Sequence, residues 1–432
     1  MLQIGTGKLF TREVEYRNNL KGIIYTNLSL MRDDKIETVA GSLIATDTLR
    51  TSSVLIYELE ELIEACGEGA GVLVSHGIAS FILDFSSILS FALNCTASPS
   101  YALTERLLSD EIGVTTHTIP NKVVKQTFDK IIYCQEDHKQ FLINFSRQLL
   151  GLERKTFLGV MSAINTYVTG MQRIADDFEL AYTLLVASIE SLAQDFDGHQ
   201  ATWLDYDQSK RRAIDVALND VGEDSAEQVR NAILQNEHTS LSKSFREFAI
   251  QHINPSFYRE EAEQAINPLT CFDLQSTLSN AYLARSKYIH NLKKLPKPLD
   301  RDTAFTETCR IENKTWLTLQ GLSRLARHVI IQFLMRQPTI DREPYNYSLE
   351  RSNVMQVRLA PEYWIGTVNF NQGSGVVRLE GFLSQFANIL EKAPNESITD
   401  LTDLLTELAS NIDSLKKVDK QAFIALYIIY NF

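Results

Sequence analysis

The segment 176–196, DDFELAYTLLVASIESLAQDF, carries one continuous apolar stripe, and no other feature of the chain constrains its fold as strongly. Its apolar residues recur every three or four positions, which is the period of one helix face. They are Phe178, Ala181, Tyr182, Leu185, Ile189, Leu192 and Phe196. A helix with such a stripe is stable only when the stripe is buried, so this segment predicts packing against other helices.

Helical periods continue over most of residues 155–336, and the connections between them are short and polar. This pattern predicts a compact, all-α helical bundle over residues 151–337. The further helix candidates are 203–218, 225–234, 241–253, 272–292 and 313–336.

The chain before this bundle has a different pattern. Four short β-like runs, FTREVEY, GIIYTNLSL, TVAGSLIAT and SSVLIYELE, predict a small antiparallel sheet within the first 60 or so residues. Apolar residues then recur at helical spacing over 77–94 and again over about 122–150. Residues 1–150 are therefore expected to form an α+β domain.

After the bundle, QPTIDREPYNYSLE is typical of a linker, and residues 338–432 are expected to form a small, mostly helical unit. It would begin with two strand-like runs, VMQVRL and WIGTVNF, and continue with three helices. Ser397 and Asp400 have the spacing of a capping box. An apolar stripe follows on one helix face and could dock on the bundle or on a partner chain. Its residues are Ile398, Leu401, Leu405, Leu408, Ile412 and Leu415. The whole chain is thus predicted to be α+β and predominantly α.

Charge and composition limit the possible functions. The 432 residues include 54 acidic and 42 basic ones, for a net charge of −12, which argues against coating of nucleic acid or anionic membrane by the whole surface. One basic face remains compatible with this balance. The start, MLQIGTGKLF, lacks the pattern of a signal peptide, and no run suits a membrane span. We expect a cytoplasmic protein with no membrane partner.

No motif predicts a cofactor or a metal site. IGTGK lacks the spacing of a phosphate-binding P-loop, GEGAG lacks the context of a dinucleotide site, and no H-E-x-x-H is present. The five cysteines, Cys66, Cys95, Cys134, Cys271 and Cys309, include no C-x-x-C pair, so we expect reduced residues in the core.

One segment has residues suited to chemistry. NAYLARSKYIHNLKKLPKP contains Arg285, four intervening residues and His290. An imidazole can move the proton of an RNA 2′-hydroxyl while a guanidinium stabilises the phosphorane, so such a pair can cleave RNA without a metal. The spacing itself is weak, because 23 arginines and eight histidines give by chance roughly one Arg that is followed by a His after four to six residues. A second match, Arg246 followed by His252, is present.

Arg285 falls on the apolar face of its predicted helix, where a guanidinium needs a partner. His290 is rotated from it by about 140° and lies near the helix end, where the helix dipole favours the imidazolium. One helix cannot aim both side chains at the same point, but two copies facing each other across a two-fold axis could combine them in one cleft. The alternative is an arginine held by a core carboxylate and a histidine on a solvated helix end.

A bundle with R-x(4)-H near the end of its penultimate long helix resembles the HEPN family. The motif helix YLARSKYIHNL is most similar to the Apea-like subgroup, and ELAYTLLVASIESL resembles the second helix of that subgroup, with Glu190 in its acidic position. The resemblance covers residues 155–336, about two-fifths of the chain. It implies a homodimeric, metal-independent endoribonuclease of a toxin or antiviral system, which leaves 2′,3′-cyclic phosphate and 5′-hydroxyl ends. It also implies a regulatory or antitoxin protein as a partner.

The same resemblance makes Arg285 and His290 the catalytic pair, supported by Glu190, Ser286 and Asn291. Ser286 stands where many active members have Asn, Asp or His, but a serine hydroxyl can still bind a phosphate. Leu292 stands where the toxins that are silenced by adenylylation have Tyr, so that modification is not expected here.

Local charge favours RNA near this pair. Residues 281–336 contain eleven basic and four acidic residues, a charge of +7 that leaves −19 for the rest of the chain. Lys287, Tyr288, Lys293 and Lys294 are the expected RNA contacts. Alternatively, these basic side chains pair with acidic residues of the fold. Two other interpretations also stay open: a non-catalytic HEPN module that binds nucleic acid, nucleotides or proteins, and an unrelated helical domain with a chance motif.

Overall fold

The computed structural model describes most of the chain. It leaves out residues 33, 47–51, 66–76, 111–118, 197–202, 204–207, 237–240, 300–303, 348–349, 351–360, 369, 371–372, 392–397 and 432. Cys66, GEGAG, Arg301, VMQVRL and Ser397 lie outside the described residues. The described chain is α+β and predominantly helical, and it divides into two compact units, Met1–Tyr347 and Ser348–Phe432.

An antiparallel sheet opens the first unit, as predicted. The strands are β1 Val14–Thr26, β2 Leu28–Ser29, β3 Lys35–Thr38, β4 Gly41–Ala45, β5 Ser53–Glu64, β6 Ala97–Ser98 and β7 Ile132–Tyr133. The sheet has the order β3-β4-β5-β1-β6, with Lys21 opposite Glu58 and Ile23 opposite Ile56 at the centre. The first two predicted β-like runs form one long strand, β1, instead of two. Strands β2 and β7 form a separate, short parallel pair.

Helices pack against the sheet and form most of the rest of the unit. The helices that precede residue 152 are α1 Leu2–Gly5, α2 Ile78–Leu93, α3 Tyr101–Leu108, α4 Pro120–Val123 and α5 Glu136–Gly151. Those that follow are α6 Arg154–Arg173, α7 Phe178–Phe196, α8 Gln208–Ala217, α9 Glu223–Asn236, α10 Leu241–Gln251, α11 Pro255–Tyr258, α12 Leu274–Asn291 and α13 Leu319–Arg336.

One large apolar core joins the sheet to most of these helices. Phe91 of α2 contacts Phe145 of α5 and Tyr167 of α6, with ring centroids 5.9 and 5.1 Å apart. The stripe of α7 is buried from Ala181 to Leu192, as predicted, because α6, α10, α12 and α13 pack around this helix. The boundary that the sequence suggests between residues 150 and 151 therefore falls inside a continuous core.

The central region is not all-α, which corrects the prediction. Strands β8 (Thr308–Ile311) and β9 (Lys314–Leu317) form a hairpin in which Cys309 faces Trp316. The turn between them uses Glu312 and Asn313 with φ of 49° and 62°, the left-handed backbone that a tight hairpin needs. The helix expected from residue 313 therefore begins only at Leu319, where the Thr318 side chain caps it.

The second unit contains the three predicted helices: α14 Ser374–Leu390, α15 Thr402–Asn411 and α16 Lys417–Tyr430. Leu401, Leu405 and Leu408 of the expected stripe are buried in its core. The described residues 364–368 of WIGTVNF do not form a strand, and the carbonyls of Ile365 and Thr367 accept hydrogen bonds from the Arg378 guanidinium. A side chain thus replaces a neighbouring strand as the donor.

Two further predictions can be compared with the described residues. Cys95 and Cys134 are buried, but Cys309 is half-buried and Cys271 is exposed, so the expectation of core cysteines is wrong for Cys271. Within the described part of the chain, no helix is long and apolar enough to cross a membrane.

Candidate functional site

The motif helix α12 ends immediately after His290. Leu292 adopts φ 49°, and its N–H and that of Lys293 bond to the carbonyls of Tyr288 and Lys287, at 2.8 and 3.2 Å. This is a Schellman-type helix end, which usually has glycine in the left-handed position. The arrangement places His290 in the last turn, with its side chain exposed to solvent.

Arg285 points the other way, into the bundle. Its Nη2 lies 2.6 Å from Oε2 of Glu190 on α7, and Glu190 is 3% exposed. Tyr282, one turn earlier on α12, donates its hydroxyl to Glu190 Oε1 at 3.3 Å, and the Arg285 guanidinium lies 5.7 Å from the Tyr282 ring centre. The structure therefore joins Arg285 and Glu190, two of the expected site residues, in one buried ion pair.

Burial determines the protonation behaviour of this cluster. Removal from water raises the pKa of Glu190, although attraction to Arg285 and hydrogen bonds from Tyr282 and Gln194 act in the opposite direction. Burial, together with the nearby Glu190 carboxylate, raises the pKa of Tyr282 to about 12. Arg285 Nε is also enclosed and finds no hydrogen-bond partner among the described residues. The guanidinium is thus fixed in place without being fully satisfied.

Tyr288 is held within the fold. Its hydroxyl donates to Asp177 Oδ2 at 3.2 Å, and the other oxygen of Asp177 accepts the N–H of Leu180 at the start of α7. Burial and the Asp177 carboxylate raise the pKa of Tyr288. The hydroxyl of Tyr288, a residue predicted to contact RNA, is therefore hydrogen-bonded to the residue just before the start of α7.

The remaining expected residues lie on the outer side of the helix end. Lys287, Asn291, Lys293 and Lys294 are exposed, and Ser286 is half-buried. Since His290 is also exposed while Arg285 faces Glu190, the two residues of the motif point in different directions within one chain, as the rotation of about 140° predicts.

Some of the local positive charge is used inside the fold. Arg324 donates to both oxygens of Glu307 and to the carbonyl of Phe257, and Arg327 donates to the carbonyls of Phe91 and Ala92. The described basic residues of this segment that remain exposed are Lys287, Lys293, Lys294, Lys297, Arg310, Lys314 and Arg336. The predicted basic face is therefore smaller than the charge count suggests.

The second Arg–His pair is arranged differently. Arg246 on α10 donates to the Ser279 hydroxyl at 3.1 Å. The His252 ring packs against Phe248 and Phe333, with centroids 4.3 and 5.5 Å away, and its Nδ1 donates to the Phe248 carbonyl at 2.8 Å. This histidine is a packing residue.

A second feature of the first unit, a cavity lined by arginines, is not apparent from the sequence. Three arginines, Arg12, Arg147 and Arg342, line one cavity, although they are far apart in the sequence. No motif or spacing indicates that they meet, because the fold of the first unit alone brings their segments together.

Comparison with protein-family models, with curated proteins and with solved structures finds no match to this chain. Among the described residues, no group of three or more His, Cys, Asp or Glu side chains is placed to hold a metal ion.

Proposed function

We propose that the protein is a metal-independent endoribonuclease of the HEPN type, which works as a homodimer and serves as the effector of an antiviral defence or toxin system. The observation that carries the proposal is the end of α12: a fixed arginine, Arg285, followed by the exposed histidine His290, beside the exposed lysines Lys287, Lys293 and Lys294. These are the groups that cleavage next to a 2′-hydroxyl requires.

The chemistry divides between the two residues. His290 takes the proton of the 2′-hydroxyl as the oxygen attacks the neighbouring phosphorus. Arg285 stabilises the charge of the phosphorane, and the imidazolium of His290 returns the proton to the 5′-oxygen, which leaves as a hydroxyl. The products are a 2′,3′-cyclic phosphate and a 5′-hydroxyl end. The contact with Glu190 uses Nη2 of Arg285, and in this proposal Nη1 binds the phosphate.

In this proposal a dimer brings together an Arg285 and a His290 that point in different directions within one chain. Within one chain Arg285 and His290 diverge, so the cleft needs Arg285 of one protomer and His290 of the partner subunit, with the roles repeated by symmetry. Glu190 acts as a positioning residue, because its carboxylate fixes the guanidinium from the buried side. Ser286 is half-buried one position after Arg285, and its proposed role is to bind a phosphate oxygen from the same helix.

The test is RNA cleavage in the presence of EDTA by the wild type and by His290→Ala. His290 is exposed, so its removal does not disturb packing, and we expect cleavage to fall by about 100-fold or more. His252→Ala, at a temperature where it stays folded, is the matched control and should cut at the wild-type rate. An inert wild type, or cleavage by His290→Ala at the wild-type rate, refutes the proposed ribonuclease activity.

A second candidate is a non-catalytic HEPN module that acts as a binding or assembly platform. The ion pair between Arg285 and the buried Glu190 favours it, because this contact gives the arginine a purely structural role. In that case the wild type binds RNA or a protein partner without cutting RNA. A strictly monomeric protein in analytical ultracentrifugation would also favour this candidate over the nuclease.

A further inference from the structure

A cavity of about 650 Å³ lies in the first unit, away from the motif helix. Three stretches of chain line it: residues 6–14, the end of α5 and residues 340–342, with Val39 and Leu62 completing one side. Its volume lies within the range of small-molecule sites in proteins, roughly 300 to 1,000 Å³.

Three guanidiniums line this cavity, and within the described part of the chain none of them has a carboxylate partner. Arg12 Nη1 donates to the Ala65 carbonyl at 3.3 Å, Arg147 Nη1 to Asn144 Oδ1 at 3.1 Å, and Arg342 Nη2 to the Phe10 carbonyl at 3.2 Å. Among the described residues, no carboxylate lies within ion-pair distance of these three side chains. Each guanidinium therefore keeps most of its N–H donors, in a chain whose net charge of −12 offers many carboxylates.

The floor of the cavity is fixed by Lys8. This lysine is 7% exposed, and its ammonium donates to the carbonyls of Leu150 and Leu152 at the end of α5. Gly7, at φ 76°, makes the turn that brings it there, and an added Cβ would lie 3.1 Å from the Leu62 side chain. Burial lowers the pKa of Lys8, and the carboxylates of Glu343 and Asp341 oppose this shift.

The charges of the lining favour an anion. Lys8, Arg12, Arg147 and Arg342 oppose two acidic residues, Glu13 and Asp341, so the lining carries a formal net charge of +2. Guanidiniums bind phosphate oxygens through paired N–H groups, which gives them geometric preference for phosphate as well as charge.

The lining also has an apolar part, which is partly open to solvent. Val14, Val39 and Ile340 are 40%, 46% and 38% exposed, and Phe10, Leu62 and Leu150 lie among them in the lining. A ligand with an apolar or aromatic part would cover these side chains while its anionic part contacts the arginines.

We infer that this cavity binds a small phosphorylated molecule that carries an apolar or aromatic part, with the size and chemistry of a nucleoside phosphate. The arginines hold the phosphate and the valine side holds the base. The inference goes beyond the proposed function and does not depend on RNA cleavage, because the cavity uses no residue of the motif helix.

Isothermal titration calorimetry of the full chain tests it, with adenosine and guanosine 5′-monophosphates, pyrophosphate and octanoate as probes. We expect a nucleotide to bind and to raise the melting temperature. Arg147→Ala combined with Arg342→Ala should weaken that binding by about 100-fold, since each removes a charge-assisted contact. Arg17→Ala, at an exposed arginine of β1 that pairs with Glu60, is the control and should bind normally.

Several results would overturn the inference. No heat with either nucleotide at millimolar concentration would exclude the class of ligand. Pyrophosphate binding as tightly as the nucleotides would remove the role of the apolar side, and binding of octanoate alone would replace phosphate by carboxylate. Equal binding by the double variant and by Arg17→Ala would place the ligand elsewhere. Circular dichroism confirms that each variant is folded.

Discussion

Two Arg–His pairs with similar spacing lie on neighbouring helices, but the environments of their side chains are opposite. Arg285 is bound to the buried carboxylate of Glu190, and His290 is exposed at a helix end. Arg246 binds the neutral hydroxyl of Ser279, and His252 is packed between Phe248 and Phe333. The first pair has a costly buried charge and a free imidazole, and the second has neither.

This difference shows what distinguishes a candidate site from a chance motif. A buried ion pair costs desolvation energy, and folds retain one where the charge is useful or where its removal leaves the partner unpaired. An exposed histidine contributes little to packing. The first pair therefore combines a fixed guanidinium with an exposed imidazole, whereas the second stabilises the contact of α10 with its neighbours.

The largest expected effect is on stability at Arg285. Arg285→Ala leaves Glu190 buried without its counterion, so we expect the free energy of unfolding to fall by about 3–5 kcal/mol. Arg246→Ala loses one hydrogen bond to a hydroxyl and should cost about 1 kcal/mol. Urea denaturation measures both.

Adding Glu190→Gln to Arg285→Ala should restore much of the loss, because the uncompensated charge is then gone. Equal costs for Arg285→Ala and Arg246→Ala would remove the distinction between the two pairs.

For the histidines, we expect the larger loss of stability in the second pair, at His252, and not in the first. His252→Ala loses contacts with two aromatic rings and a hydrogen bond to the Phe248 carbonyl, so we expect a cost of about 2 kcal/mol. His290→Ala removes an exposed side chain and should change stability by less than about 0.5 kcal/mol. A large loss of stability in His290→Ala, in the same urea titration, would mean that this histidine is structural.

The pH dependence of stability should depend on Glu190. Because burial raises its pKa above the ordinary 4.5, the folded state binds more protons than the unfolded state above pH 4.5. The wild type should then lose stability relative to Glu190→Gln as the pH rises from 4.5 towards neutrality.

Arg285→Ala removes an attraction that lowers this pKa, so its decline with pH should be steeper than that of the wild type. Arg246→Ala should follow the wild type, since its acceptor is neutral. Urea titrations at pH 4.5, 5.5 and 7 give the three slopes, and a wild type that gains stability over Glu190→Gln with rising pH would reverse the assigned direction.

The smallest expected effect concerns RNA affinity. Lys293 and Lys294 are exposed beside His290, so each alanine variant should reduce the salt dependence of RNA binding by about 0.7 in the slope of log K against log salt. Lys243, beside Arg246 on α10, forms an ion pair with Glu247, and Lys243→Ala is the control. Fluorescence anisotropy with single-stranded RNA measures the slopes, and identical changes for all three lysines would mean that no local basic face exists.

Much of the fold was predictable because it depends on local patterns. The stripe of α7 repeats at the helical period and is buried where expected, and the β-like runs pair as an antiparallel sheet. The hairpin of β8 and β9 was missed, because Thr315, Trp316 and Leu317 also fit the helical period that continues into α13. Its turn depends on two residues with positive φ, Glu312 and Asn313, at positions where glycine is usual.

The sequence by itself determined the apolar stripe of α7, the place of Arg285 on the inner face of its helix, and the need of that arginine for a partner. These follow from a fixed helical period and from the cost of burying a charge. Only the tertiary structure decided that the partner is Glu190, that His290 faces solvent while His252 does not, and that Arg12, Arg147 and Arg342 share one cavity. Such contacts join residues that are up to hundreds of positions apart, and the packing of whole helices, not any local pattern, brings them together.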